Sequence, residues 1–150
     1  MGWMASSVLF IVILLSAYWA SESRDTVGRE GQEAGLVASN MMVYASGVRT
    51  YLKANPSASG TISTGSLGLP SWFSANSQIT NLFSSGVAYV YCPCSDMRDS
   101  VAEALNSATN GSYFVGVKKA GTFTNLNHTT SATIALPAAI PEGAVVYVIK

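Results

Sequence analysis

Apolar and polar positions divide this chain into three stretches with different periods. The first, "WMASSVLFIVILLSAYWA" from Trp3 to Ala20, carries no charged side chain, and the first charge in the sequence is Glu22. Eighteen helical residues at about 1.5 Å each reach roughly 27 Å, close to a hydrocarbon core of about 30 Å. A transmembrane anchor over residues 1–22 is therefore expected, with Trp3, Leu9, Phe10, Ile11, Leu14, Tyr18 and Trp19 facing lipid or its interface. Ser6, Ser7 and Ser16 fit inside such a helix because a hydroxyl can bond back to a carbonyl one turn earlier. A cleaved secretory signal is the competing reading. It requires a basic segment ahead of the run and small residues at the cleavage point, whereas no Lys or Arg precedes Trp3, and Tyr18 and Trp19 crowd that window.

Residues 23–35 are polar and contain Gly28, Gly31 and Gly35, each costing about 1 kcal/mol inside a helix, so a bend or frayed joint is expected there. In the third stretch, 36–150, the period becomes that of a folded domain. Val37, Met41, Tyr44, Val48 and Leu52 recur every three to four residues, the stripe of an amphipathic helix that Pro56 brings to an end. "SASGTISTGSLGLPSWFSANSQ" is rich in Ser and Gly, yet its Leu67, Leu69, Trp72 and Phe73 predict an ordered loop folded onto the domain.

"GVAYVYC" is dense in β-branched and aromatic residues and predicts a strand. "SDMRDSVAEALNSATNG" predicts a helix, capped by Ser95 or Asp96, favoured by Asp96 and Asp99 at its positive end and stopped at Gly111. "SYFVGVKKAGTFTNL" predicts a hairpin turning at Ala120-Gly121, "TTSATIALP" one more short strand, and "GAVVYVIK" a last strand. The expected fold is α+β: an N-terminal transmembrane helix, an amphipathic helix, and a mainly antiparallel sheet with one further helix, in a single domain over 36–150.

With eight basic residues balanced by eight acidic ones, and 11% charged residues, no basic face exists to hold a phosphate backbone, and nucleic acid is not an expected partner. "CPCSD" is the first candidate for chemistry. A structural zinc site needs four ligands, while the chain offers Cys92, Cys94 and a distant His128, and the spacing lacks the two-residue gap of redox motifs. Structural thiols, a structural disulfide and a reactive pair all remain open for Cys92 and Cys94, although Pro93 makes a ring this small strained. His128 has no evident partner, and Asp96 and Asp99 are accounted for by their place at a helix start. Asn110-Gly-Ser and Asn127-His-Thr match glycosylation triplets, which matter only in a eukaryotic secretory route. No phosphate-binding loop, dinucleotide fingerprint or nucleophile elbow occurs, so no cofactor is expected and the weight moves from catalysis to binding and assembly.

The run from Asn40 to Asn55 with Tyr44 and Tyr51, the Leu69-Pro70-Ser71-Trp72-Phe73 turn and the Leu136-Pro137-Ala138-Ala139-Ile140-Pro141 segment together resemble the PilM family. These are small accessory proteins of thin, type IVb pilus systems on conjugative plasmids. The resemblance covers nearly the whole chain. It implies a non-enzymatic, single-pass protein of the bacterial inner membrane, part of the pilus basal body, that assists pilin export or pilus assembly through contacts with basal-body proteins or pilin. It also implies a periplasmic C-terminal domain. The positive-inside rule points the other way, because Arg24 and Arg29 follow the apolar run and nothing basic precedes it.

Two other functions stay in view. A pilin-like subunit shares the plan of an apolar helix and an α+β head, but after Gly2 the fifth position is Ser7 where a pilin resembles Glu, and no basic leader is present. A membrane-tethered periplasmic thiol enzyme would use Cys92 or Cys94. For an adaptor, Tyr44, Tyr51, Trp72 and Phe73 are the candidate partner surface, since aromatic groups dominate interface cores. Self-association is compatible with the same surface.

Overall fold

The computed structural model describes residues 2–127 and 134–150, with side chains from Gly28 onward. Helix α1 spans Gly2–Ala54 and ends two residues before Pro56. Gly28, Gly31 and Gly35 lie within the helix, so the segment where a bend or frayed joint is expected is not frayed. Ala34–Lys150 is one compact unit, and the residues up to Glu33 are another. Among the described residues no helix is long and apolar enough to cross a membrane. The side chains of the expected anchor, Trp3, Leu9, Phe10, Ile11, Leu14, Tyr18 and Trp19, lie outside the described residues, as does His128.

Among the described residues six strands form one sheet: β1 (Thr80–Ser84), β2 (Val87–Cys92), β3 (Val115–Lys119), β4 (Thr122–Asn125), β5 (Ile134–Ala135) and β6 (Val145–Ile149). Their order is β1-β2-β6-β3-β4-β5, and every neighbouring pair is antiparallel. The last strand in sequence therefore sits in the middle of the sheet, with Cys92 opposite Val145 on one side and Val117 opposite Val145 on the other. Two hairpins fix the outer registers. Ser85-Gly86 and Ala120-Gly121 all have positive φ, as a two-residue turn matched to strand twist requires. The Ala120-Gly121 turn is where the sequence placed it. β1 had no counterpart in the sequence reading, because "TNLFS" puts Asn81 at a buried position and so hides the alternation.

The sheet is buried on both faces, which is why β2 and β6 read as near-continuous apolar runs. On one face Ala88, Val90, Cys92, Val115, Val117, Val145 and Ile149 meet the α1 stripe of Val37, Met41, Tyr44, Val48 and Leu52, together with Val101, Ala102 and Leu105 of α2. On the other, Tyr89, Tyr91, Phe123, Val146 and Val148 pack against Leu136, Ile140 and Ala144. Burial pushes the phenols of Tyr89 and Tyr91 above their ordinary pKa. Gly116 lies against the Phe123 ring and the Thr124 carbonyl with no room for a Cβ.

Helix α2 spans Arg98–Ala108 and follows a 3-10 turn at Ser95–Met97. Met97 holds the N-cap position without a side-chain bond, so neither Ser95 nor Asp96 caps α2 as expected. Ser95 instead bonds Asp96. At the other end, Gly111 N donates to Asn106 O (2.8 Å) and Asn110 N to Ser107 O (3.1 Å), with Asn110 at φ 52°, the bond pattern of a Schellman stop.

Two buried polar side chains tie loops to this frame. Asn81 donates through Nδ2 to Tyr44 Oη (2.7 Å) and Ile62 O (2.7 Å) and accepts from Ile62 N (2.8 Å), joining α1, β1 and the connector. On the opposite face, Lys118 sends its ammonium to Ile140 O (2.7 Å) and Pro137 O (3.1 Å), with Glu142 at 3.6 Å. A buried cation is tolerated when such acceptors replace its water.

Met41→Ala, at a fully buried position, should cost about 2–5 kcal/mol of unfolding free energy, whereas Leu36→Ala, exposed on the same helix, should change it by less than about 0.5 kcal/mol. Chemical denaturation of the two variants beside the wild type makes the comparison.

Candidate functional site

The connector between α1 and β1 is held against α1 by side chains that the sequence contributes at fixed intervals. Leu67 is buried, and Leu69 lies over Gly47, where a Cβ would come within 2.6 Å of Leu69 Cδ2 and 3.0 Å of Leu67 O. Glycine there lets the loop approach the helix. Two turns earlier, Asn40 donates to Ser74 O (3.0 Å) and accepts from Asn76 N (3.0 Å). Between these two attachments the chain reverses, with Phe73 N donating to Pro70 O at 2.9 Å.

That turn decides what faces solvent. Phe73 packs partly against the core, while Trp72 is 75% exposed, edge-on to the Phe73 ring at 6.2 Å between centroids. Leu36 precedes Asn40 by one helical turn and is 71% exposed. Exposed Trp and Leu side chains forgo burial worth about 1.5–3 kcal/mol for a residue of Leu size, so Trp72 and Leu36 are the large apolar groups this side of the domain offers to solvent.

The four aromatics expected to form a partner surface are therefore separated. Tyr44 is buried at 2% exposure and receives the Asn81 hydrogen bond, which makes it a core residue and removes it from the surface. Tyr51 is half-buried, its ring edge-on to Phe83 at 5.6 Å. Tyr44 is a member of the apolar stripe that predicts the buried face, whereas Tyr51 stands one residue off it, beside Leu52. Trp72 remains fully available, with Phe73 as its support. Leu36 and Asn40 were missed: Leu36 falls one residue off the stripe, and nothing in sequence reveals that Asn40 meets a loop some thirty-five residues away.

Cys92 and Cys94 are joined by a disulfide, with Cα atoms 5.2 Å apart, and both residues are buried. Asp99 is engaged by Arg98 through Nε at 2.9 Å, and this hydrogen bond and charge hold the carboxyl below its ordinary pKa and the guanidinium above its own. A cavity of about 420 Å³ is lined by Asp99, Glu103, Asn106, Leu126 and Asn127. Its two amides bond each other in both directions, at 3.0 and 2.7 Å. Among the described residues no three His, Cys, Asp or Glu side chains gather as a metal site. What this geometry offers chemically is an apolar contact at Trp72 on a loop fixed to a helix.

The PilM family profile matches residues 9–148. No curated protein matches the sequence. Among solved structures, the chain is similar to a crystal structure of a protein named PilM from Escherichia coli B7A, with 22% identity, a TM-score of 0.60, and 78% of this chain and 91% of that chain covered. It is also similar to one from Pseudomonas aeruginosa 2192 named pilM, with 33% identity, a TM-score of 0.47, and 75% and 91% covered.

Asn40→Ala removes both hydrogen bonds that pin the turn and leaves the Ser74 carbonyl and Asn76 amide without their partner. Loss of amide-exchange protection at Asn76, with about 1–3 kcal/mol lower stability by denaturation, is the expected outcome.

Proposed function

The chain belongs to the PilM family, and from that premise we propose that it is a non-enzymatic, single-pass protein of the bacterial inner membrane that assists pilus assembly by binding another pilus component. The observation that carries the reading is Trp72, held outward at 75% exposure by a loop that is otherwise tied to α1 at Gly47 and Asn40. A rigidly supported, solvated tryptophan loses little conformational freedom on docking and gains its full burial, the profile of an interface anchor. Leu36, exposed on α1 one turn before Asn40, is a second apolar group available to a partner.

Anchoring is supported by the uncharged run Trp3–Ala20, long enough as a helix to cross a bilayer. Placement of the folded unit on the outer side of the inner membrane is supported by the paired cysteines, since disulfides persist in oxidising compartments and are rare in the cytosol. Arg24 and Arg29 favour the opposite orientation under the positive-inside rule. The partner in this reading is a basal-body protein or pilin, and no cofactor takes part.

Trp72→Ala should reduce piliation and recovery of the protein's partners from detergent-solubilised membranes, while the protein's abundance, membrane association and unfolding midpoint stay at wild-type values. Normal piliation with a stable variant would remove Trp72 from the interface.

A further inference from the structure

We propose that the Cys92–Cys94 bridge is a covalent lock on the entry to α2, installed by a protein disulfide that takes two electrons from these thiols before the domain closes. The position of the bridge is the first ground. Cys92 is the last residue of β2, opposite Val145 of the central strand, and Cys94 immediately precedes the 3-10 turn Ser95–Met97 that leads into α2. The bond thus joins the sheet to the start of the helix across a single intervening residue, Pro93, which is exposed.

The second ground is what this corner lacks. Neither Cys94 at the start of the 3-10 turn nor Met97 at the start of α2 makes a side-chain capping bond. Two main-chain bonds, Ser95 N to Pro93 O (2.8 Å) and Met97 N to Cys94 O (3.2 Å), hold the turn. A helix start without a cap frays, since its first amides have no partners. Yet α2 must deliver Val101, Ala102 and Leu105 to the core at 0–1% exposure. The disulfide supplies the constraint the caps do not. Its ring is short, so it removes little entropy from the unfolded chain, and its effect is local orientation.

Burial sets the order of events. Cys92 is 0% and Cys94 3% exposed, so the folded domain presents neither sulfur to another protein. Exchange requires a thiolate to reach a sulfur in line, and the bond must therefore form while the corner is open. In the balanced step, the thiolate of one cysteine attacks the donor disulfide, forming a mixed disulfide and releasing one donor thiolate. The second cysteine's thiolate then attacks its neighbour's sulfur and displaces the other. The two cysteines lose two electrons and two protons, and the donor gains two electrons and leaves as a dithiol. This inference rests on the extracytoplasmic placement proposed above, which the resemblance to the PilM family implies apart from the bridge, and where such donors act.

The test uses the full chain made in cells with and without a working extracytoplasmic thiol oxidase, quenched in acid, denatured, and labelled with a polyethylene-glycol maleimide before and after reduction. Oxidase-competent cells should yield chain that takes no label until reduced and two labels afterwards. Cells without the oxidase should yield chain that takes two labels at once. Two labels before reduction in competent cells, or none in either strain, would overturn the proposal. The lock itself is read by hydrogen exchange of a Cys92→Ala/Cys94→Ala variant, expected to lose protection over residues 95–101 while the sheet keeps it. Unchanged protection there would refute the lock, and if that variant does not fold, the same exchange comparison is made on the wild-type chain before and after reduction, with unchanged protection again refuting it. Thiol count is read independently of piliation: free thiols in competent cells would also remove the bridge's support for outer-side placement, while the adaptor contact is judged by Trp72 alone.

Discussion

The structure depends on one burial: the stripe from Ala34 to Leu52 along α1 closing one face of an antiparallel sheet. Val37, Met41, Tyr44, Val48 and Leu52 are between 0 and 7% exposed, and their partners come from β2, β3 and β6, strands far apart in sequence. Because β6 lies between β2 and β3, neither half of the sheet is complete before the last strand joins. The helix is the common surface on which those non-local pairings converge. Its apolar burial, at about 25 cal/mol per Å² removed from water, offsets the chain entropy that such pairings cost.

Once that face is sealed, the remaining polar groups have assigned tasks. Asn81 stitches the connector to β1 and to Tyr44, and Lys118 gathers the Pro137 and Ile140 carbonyls on the opposite face. Each is a buried polar side chain whose hydrogen bonds repay its lost water, and each fixes a segment that links helices and strands. The connector so fixed is what holds Trp72 outward. The sheet and helix thus act on the proposed contact surface indirectly, through two asparagines and a glycine.

Much of this was legible in the sequence for a physical reason: elements whose burial is one-sided leave a period. The α1 stripe, the β2 and β6 apolar runs, the Ala120-Gly121 turn and the α2 segment all appear in the residues themselves. The misses share another cause. β1 hides because Asn81 is buried where alternation predicts an apolar residue, and α2 begins without the cap its Ser and Asp suggest, because Ser95 bonds Asp96 instead. At the candidate site, an aromatic's identity does not reveal whether it is buried: Tyr44 went to the core, Tyr51 to its margin and Trp72, on the connector, to solvent. Contacts made by Asn40 with a distant loop leave no local trace. The resemblance to the PilM family in the Asn40–Asn55 run and the Leu69–Phe73 turn agrees with the family match over residues 9–148.

In the proposed adaptor, the helix that packs the domain is also the helix that begins with an uncharged run, since α1 extends over Gly2–Ala54. Covalent continuity of that helix in the mature protein is therefore the central claim. Intact mass and amino-terminal sequence of the protein recovered from its native cells, read together with membrane fractionation, test it most directly. The account predicts a chain that keeps its apolar amino-terminal run and leaves the membrane only in detergent. Soluble material beginning near Glu22 would contradict it.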